Sequence, residues 1–335
     1  MRILLIQLRR IGDLILTTPA INALRHHFPD AHIALAAARE GEPLLPAIGG
    51  INQTFVLRRG VRDLAAARGV RAAAFDCVVD FTRNDRSAWL TLASGAPQRI
   101  VSDRLKRKSK LRARFYNEFV PCAMKEMHTV DYNLALLQPL GISGANTTPV
   151  LRLLAGARAN GRAVAPAEPF AIFHPGSARA EKFWAAERWA EVIAFAKKEL
   201  RLQPVLTSGN SSIEREHIAK IKSQLSVPVR DLSARLDLLT LAALIQRAQF
   251  VVTVDSAPMH LASALNTPQV VLFGPTNPFH WRPRHSPAAI LFGSAREPLR
   301  EFLPRAPKLP MNQISTGAVI DAMRSVYTAP AASAV

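Results

Sequence analysis

Cysteine is nearly missing: Cys77 and Cys122 are the two in 335 residues. They are too few and too far apart for a disulfide framework or a cysteine metal site, which points to a reducing compartment. No HExxH or CxxC occurs, and His26-His27 is an adjacent pair, so metal-ligand spacing is missing too and no metal is expected. There is no DxD motif. No GxGxxG opens the chain, which argues against a nicotinamide-dependent epimerase. No uninterrupted apolar run nears the roughly 20 residues of a membrane span. The N-terminal MRILLIQLRR has the look of a signal peptide, but Ile3–Ile6 is too short for an h-region and Arg9-Arg10 breaks it. It reads as a first buried strand, and the chain as a soluble cytoplasmic protein. Acids are scarce, 25 Asp and Glu against 43 Lys and Arg, for a net charge of +18. Such an excess implies an acidic partner: nucleic acid, an anionic membrane face or a phosphorylated substrate. A generally basic proteome is the plain alternative. One cluster stands above it: Arg104, Lys106, Arg107, Lys108, Lys110, Arg112 and Arg114, followed by Phe115 and Tyr116. No nucleic-acid reader motif accompanies it, so no nucleic-acid partner is expected.

What is present is an alternation of short apolar strands and helices. Hydrophobic residues make up 49% of the chain, ample for burial, and 335 residues suit two α/β domains rather than one core. The first half predicts strands at Ile3–Gln7, His32–Ala37, Gln53–Leu57, Cys77–Asp80 and Gln98–Val101. Helices fall between them near Leu14–His27, Val61–Ala73, Arg86–Ala93 and Tyr132–Leu140. The second half repeats the plan, with strands at Phe170–His174, Pro204–Ser208, Val227–Asp231, Phe250–Val254 and Gln269–Phe273. Its helices lie near Ala186–Leu200, Ile213–Gln224, Leu238–Gln246 and Met259–Leu265, and a last one at Gln313–Tyr327. This alternation implies βαβ units, parallel sheets and two doubly wound domains, with ligands at the carboxyl ends of the strands. Residues 1–153 form the first domain. The Ala-, Gly- and Pro-rich stretch 154–168 reads as a linker. Residues 169–310 form the second domain, and 311–335 a terminal helix and tail.

The most informative stretch is Val251–Pro278, VVTVDSAPMHLASALNTPQVVLFGPTNP. A β-branched strand runs into Asp255-Ser256, and a helix opens with Pro258 in its first turn, where a missing N–H costs nothing. A helix N-terminus at the carboxyl end of a parallel strand attracts anions, so the backbone of Ser256, Ala257 and Met259 is a candidate phosphate cradle. His260 either donates to that phosphate or packs. In HPGSARAEK, Gly176 and Ser177 allow a close backbone approach to a phosphate and Lys182 neutralises it; an ordinary surface loop is the plain reading. His174 reads as a hydrogen-bonded loop residue. Glu214 and Glu216 are either ribose-holding acids or acids favoured by the helix dipole. Leu236 covers a base or is core. After the first strand, Asp13 either caps a helix or serves as a general base.

Together the segments MRILLIQLRRIGDLILTTPAINALR, HPGSARAEKFWAAERWAEVI, LTSGNSSIEREHIAKI and VDSAPMHLASALNTPQVVLFGPTNP resemble glycosyltransferase family 9, the ADP-heptose:lipopolysaccharide heptosyltransferases. The resemblance implies a GT-B architecture, two facing Rossmann-like domains with the active site in the cleft. The N-terminal domain would bind the acceptor and the C-terminal domain the nucleotide-sugar. By resemblance Asp13 matches the general base and Lys182 the lysine at the donor phosphates, beside Ser177. Glu214 matches the ribose acid better than Glu216, and Leu236 the residue against adenine. Asp255 and His260 match the D-[ST]-G-x-x-H pattern. The chain departs from the family at Ala257, where Gly is usual, at Pro258 after it, and at Ala178, where some members carry a hydroxyl.

The reaction expected on this reading is a metal-independent inverting transfer of heptose from ADP-heptose to the lipopolysaccharide inner core. Arg104, Lys106, Arg107, Arg112 and Arg114, with Arg58, Arg59 and Arg83, are expected to face that anionic acceptor or the anionic cytoplasmic leaflet. A transferase using another nucleotide-sugar is the alternative, and a basic nucleic-acid-binding protein a more distant one.

Overall fold

The computed structural model describes residues 1–327 and divides into two compact units, Met1–Arg152 and the chain from Leu153 onward. In the first unit the strands are β1 (Arg2–Gln7), β2 (His32–Ala38), β3 (Gln53–Leu57), β4 (Cys77–Asp80), β5 (Gln98–Ser102) and β6 (Glu118–Val120). In the second they are β7 (Phe170–His174), β8 (Gln203–Leu206), β9 (Arg230–Asp231), β10 (Phe250–Val254), β11 (Gln269–Phe273) and β12 (Ala288–Phe292). Each set forms one six-stranded sheet, β3-β2-β1-β4-β5-β6 and β12-β11-β10-β7-β8-β9, parallel throughout. Parallel sheets covered on both faces need apolar strands. Ile3–Ile6 and Phe250–Val252 are accordingly inaccessible to solvent.

Beyond the five strands expected in each half, the structure adds the edge strands β6 and β12. β9 is shorter than the Val227–Asp231 expected.

Helices of the first unit are α1 (Ile11–Ile15), α2 (Thr18–His27), α3 (Arg62–Ala72), α4 (Asp85–Ser94), α5 (Arg104–Lys108), α6 (Lys110–Ala113) and α7 (Thr129–Ala135). The single helix expected over Leu14–His27 is broken in two. Pro19 cannot donate to a carbonyl four residues back. Thr17 Oγ and Thr18 Oγ donate instead to the carbonyls of Asp13 and Ile15, both at 2.8 Å. The helix expected over Tyr132–Leu140 instead starts earlier, as α7, ends at Ala135, and is followed by a 3₁₀ turn at Gln138–Leu140 that contains Pro139.

The second unit carries α8 (Ala155–Val164), α9 (Ala186–Lys198), α10 (Ser212–Gln224), α11 (Leu238–Ile245), α12 (Ala257–Ala264), α13 (Pro278–Trp281) and α14 (Thr316–Val326). The stretch read as a linker thus contains a helix. At Gly161 the two helices α8 and α11 touch so closely that an added Cβ would lie 2.5 Å from Ala243 Cβ. Trp184 and Trp189 fill the core edge-to-face at 5.4 Å, and Trp184 Nε1–H donates to the Ile314 carbonyl ahead of α14 at 3.0 Å. The last residues of the expected tail lie outside the described residues.

Candidate functional site

Strand order decides where ligands go. In the second unit the chain starts in the middle at β7, builds outward through β8 and β9, then returns to β10 on the other side. The loops after β7 and β10 therefore diverge, leaving a crevice at their carboxyl ends. Register pairs His174 with Thr253, so the loops that follow begin side by side.

Lys182 and Asp255 meet there. Lys182 Nζ donates to Asp255 Oδ2 at 2.6 Å and to the Asp255 carbonyl at 2.9 Å, and both side chains are buried. Thr276 Oγ1, from the loop after β11, donates to the same Oδ2 at 2.7 Å. An ammonium has three N–H donors, so one remains for a ligand. The sequence reading missed Thr276, although β11 runs in register beside β10 and makes its loop a neighbour.

Directly after Asp255, Ser256 opens α12 in extended conformation. Its hydroxyl does not cap the helix; it donates back to the Val254 carbonyl at 3.3 Å. The N-terminus of α12 thus keeps backbone donors beside Lys182. Ala257, the first helical residue, does not adopt a left-handed backbone, so glycine is not demanded there.

Glu214 is buried in the first turn of α10, in a capping box. Its carboxylate accepts from Ser211 Oγ at 2.7 Å, Ser211 N at 3.4 Å and Gly209 N at 3.2 Å. A Cβ added at Gly176 or Gly209 would come within 2.4 or 2.5 Å of that carboxylate, which brings the loops after β7 and β8 together. Ser177 is buried in the first of them. Glu216 is exposed on the same helix. Leu236 is half-buried just ahead of the α11 N-cap, Asp237.

His260 is buried in α12, and His174, the last residue of β7, is buried with Nδ1 2.9 Å from Thr207 Oγ1. Burial pushes both imidazoles down to about 4, and His217, stacked on Phe183, to the same level. The unfolded chain takes up protons on these rings near pH 6.5 and the folded chain not until near pH 4. Stability is therefore full above pH 6.5 and falls as the pH drops toward 4. Thermal unfolding followed from pH 7.5 to 5 is expected to show this fall, with a shallower slope in His260→Gln.

The first unit repeats the switch point between β1 and β4. Asp13 is half-buried in the first turn of α1; the N-cap is Arg10, so Asp13 is not the cap. From β4, the buried Asp80 carboxylate accepts from Thr82 N (2.7 Å), Arg83 N (3.1 Å), Ser87 Oγ (2.7 Å) and Tyr116 Oη (2.5 Å). Burial raises its pKa against those hydrogen bonds. Its bonds to Thr82 N and Arg83 N fix the turn in which Arg83 takes a left-handed conformation (φ 63°). The Arg83 guanidinium lies 4.8 Å over Tyr132 and donates to Met124 Sδ at 3.0 Å, while its buried Nε–H has no hydrogen-bond partner among the described residues. Asp80 was not among the residues singled out from sequence; a carboxylate ending a fully apolar strand is the signal that marks it.

Arg9, Arg83, Arg104, Lys108 and Arg112 form one electropositive group. Arg112 Nη1 donates to the Arg83 carbonyl at 3.0 Å and Arg9 Nη2 to the Thr82 carbonyl at 3.3 Å. Repulsion, chiefly from Arg104, lowers the Lys108 pKa, and burial chiefly lowers that of Arg83. Lys106, Arg107 and Arg114 are exposed outside this group, with Lys106 Nζ 4.0 Å over Phe119. Arg58 and Arg59 follow β3, the edge strand opposite β6, where Arg58 pairs with Glu42 and both backbone N–H groups bond Asp63 at 2.9 Å. Among the described residues no three His, Cys, Asp or Glu side chains gather as a metal-holding group.

The family model described as glycosyltransferase family 9 (heptosyltransferase) matches residues 64–306. Lipopolysaccharide heptosyltransferase 3 of Escherichia coli K12 is 28% identical over 289 residues, covering 82% of this chain and 83% of that protein. Among solved structures, a glycosyl transferase family 9 protein from Veillonella parvula superposes with a TM-score of 0.84 at 24% identity, covering 97% of each chain. The E. coli ADP-heptose lps heptosyltransferase II superposes with a TM-score of 0.79 at 22% identity, covering 98% of each. The fold is that of GT-B heptosyltransferases, α/β with two Rossmann-like units of parallel sheet.

Proposed function

The chain belongs to glycosyltransferase family 9, and from that premise we propose that it transfers heptose from ADP-heptose to the lipopolysaccharide inner core with inversion at the anomeric carbon. It is a glycosyltransferase; donor, acceptor and residue roles are our reading. The observation that carries it is the buried Lys182–Asp255 pair at the switch point beside the N-terminus of α12. A cation and a helix N-terminus converging there suit a diphosphate, and they stabilise the charge that develops on it as the glycosidic bond breaks. Each well-placed donor contributes about 3 kcal/mol to such a transition state.

In this reading Lys182 keeps two N–H donors on Asp255 and turns the third to the diphosphate. Ser177, Ser256 and Ala257 line the phosphates, with neutral His260 as a further donor. Glu214, rather than exposed Glu216, holds the ribose, and half-buried Leu236 lies against adenine. Asp13 takes the proton of the attacking acceptor hydroxyl in a single in-line displacement, for which general base catalysis supplies roughly 10²–10⁴-fold. The segment carrying Asp13 precedes the stretch that the family model matches, so its role rests on the resemblance and on its place after β1. Lys182 and the helix dipole supply the positive charge that a metal would otherwise provide. The half-buried group Arg83, Arg104 and Arg112 receives the carboxylates and phosphates of the acceptor; Arg58 and Arg59, tied to Glu42 and Asp63, are the weaker candidates. We place the enzyme in the cytoplasm, at the face of the inner membrane where such an acceptor is exposed.

A thermal-shift panel of ADP-, UDP- and GDP-sugars tests the donor. At 100 times its dissociation constant a ligand stabilises by about 2.7 kcal/mol. ADP-heptose is expected to raise the unfolding temperature and UDP- and GDP-sugars to leave it unchanged. A response to a UDP-sugar alone would overturn the donor assignment.

A further inference from the structure

Of the four tryptophans only Trp89 is exposed, at 60% of its full accessibility, while Trp184 and Trp189 are wholly buried and Trp281 is half-buried. It stands on α4 one turn before Leu92, also exposed. Its ring lies 5.0 Å from Phe115, just beyond α6, and Leu111 on α6 is 64% exposed. Arg112 Nε, 3.3 Å from Asp85 Oδ1, ties α6 to α4. On the other side Arg86 bonds Asp63 at 2.8 Å and ties α4 to α3, which exposes its N-cap Val61 and, in its first turn, Leu64. Among the described residues, four large exposed apolar side chains, Leu64, Trp89, Leu92 and Leu111, thus sit on three helices bridged to one another, with Val61 at the N-cap of α3.

The segment that carries Leu111 has charge of one sign, although Asp63 and Asp85 on the neighbouring helices pair with Arg86 and Arg112. Residues 104–114 hold seven Lys and Arg and no acid. Arg104 and Arg112 are half-buried toward Arg83, whereas Lys106, Arg107, Lys108, Lys110 and Arg114 are exposed. Burial therefore sorts the basic segment into an inward part and an outward part. Exposed Trp and Leu beside a segment rich in exposed Lys and Arg match the two requirements of an anionic bilayer surface: an indole and aliphatic chains for the boundary of the acyl region, and cations for the headgroups. A purely electrostatic partner would have no use for the exposed Trp and Leu, and a purely apolar one no use for the cations. Among the described residues no helix is long and apolar enough to cross a membrane, so attachment through this face would be peripheral.

We propose that the surface formed by Trp89, Leu92 and Leu111, with Arg107, Lys110 and Arg114 of the basic segment, docks the protein on an anionic phospholipid bilayer. The inference concerns lipid, not the saccharide acceptor, and does not depend on the transfer reading. It is tested by co-sedimentation of the full chain with vesicles of phosphatidylethanolamine and phosphatidylglycerol, against vesicles of phosphatidylcholine alone. Binding is expected to the anionic vesicles, to weaken as salt is raised, and to fall at least about tenfold in Trp89→Ser/Leu111→Ser and in Arg107→Glu/Lys110→Glu. Circular dichroism and ADP binding of the Trp89→Ser/Leu111→Ser variant are expected to be unchanged, which separates lost docking from lost folding. Equal binding to both vesicle types, or unchanged binding by Trp89→Ser/Leu111→Ser, would overturn the proposal. So would a wild-type dimer in sedimentation equilibrium that this variant converts to monomer, since the face would then join two copies.

Discussion

Asp13→Asn is expected to lower turnover by at least about 100-fold while leaving ADP-heptose affinity unchanged. The substitution keeps the shape of the side chain and removes its ability to accept a proton. An interaction needed only as the acceptor hydroxyl loses its proton appears in kcat, not in the binding of the donor. Donor contacts are assigned to the second unit, so calorimetry with ADP-heptose reads them independently of Asp13. The half-buried position in the first turn of α1, after β1 at the switch point, suits this role. A variant with full turnover would remove Asp13 from the reaction; one that lost donor affinity equally would make its role structural.

Lys182→Met is expected to act twice. It removes the cation assigned to the diphosphate, so the dissociation constant for ADP-heptose is expected to rise at least about tenfold. It also leaves the Asp255 carboxylate buried with Thr276 as its remaining hydrogen-bond partner. Breaking one side of a buried ion pair costs about 3–5 kcal/mol of stability. Removing both charges in Lys182→Met/Asp255→Leu is expected to recover much of that stability, because no uncompensated charge stays behind. It is not expected to recover donor binding. Chemical denaturation and calorimetry on the two variants separate these effects. Unchanged donor affinity in a folded Lys182→Met protein would mean that the pair is purely structural.

Much of the fold is legible in the sequence because its strands are short, apolar and β-branched. Phe250–Val254 and Gln269–Phe273 are strands to the residue. What escapes is what local pattern does not encode. β6 and β12 are edge strands, and β6 has three residues. Composition at 154–168 suggests flexibility, yet Gly161 lets α8 settle against Ala243, a contact visible only in three dimensions. The break in the first helix was signalled by Pro19 and by two threonines whose hydroxyls compete for backbone carbonyls.

The site was legible in the same measure. The strand-turn-helix at Asp255–Ser256 and the lysine at 182 stand out in the chain, and the structure joins them at 2.6 Å. Glu214 is found in a capping box, the dipole-based reading, with a buried carboxylate that also faces the Gly176 loop. The basic segment reads as one block in sequence but is divided by burial, and Arg58 and Arg59 follow β3, the edge strand opposite β6. Asp80, which orders the Arg83 loop through four hydrogen bonds, draws them from residues spread over Thr82 to Tyr116. That convergence depends on the β4–β5 crossover and has no local signature.

The most direct test of the account is the reaction itself: the protein incubated with ADP-heptose and a truncated inner-core acceptor, and the product read by mass spectrometry and anomeric NMR. One added heptosyl unit is expected, with the opposite anomeric configuration to the donor. An unmodified acceptor beside intact ADP-heptose, with transfer from a UDP-sugar instead, would contradict it.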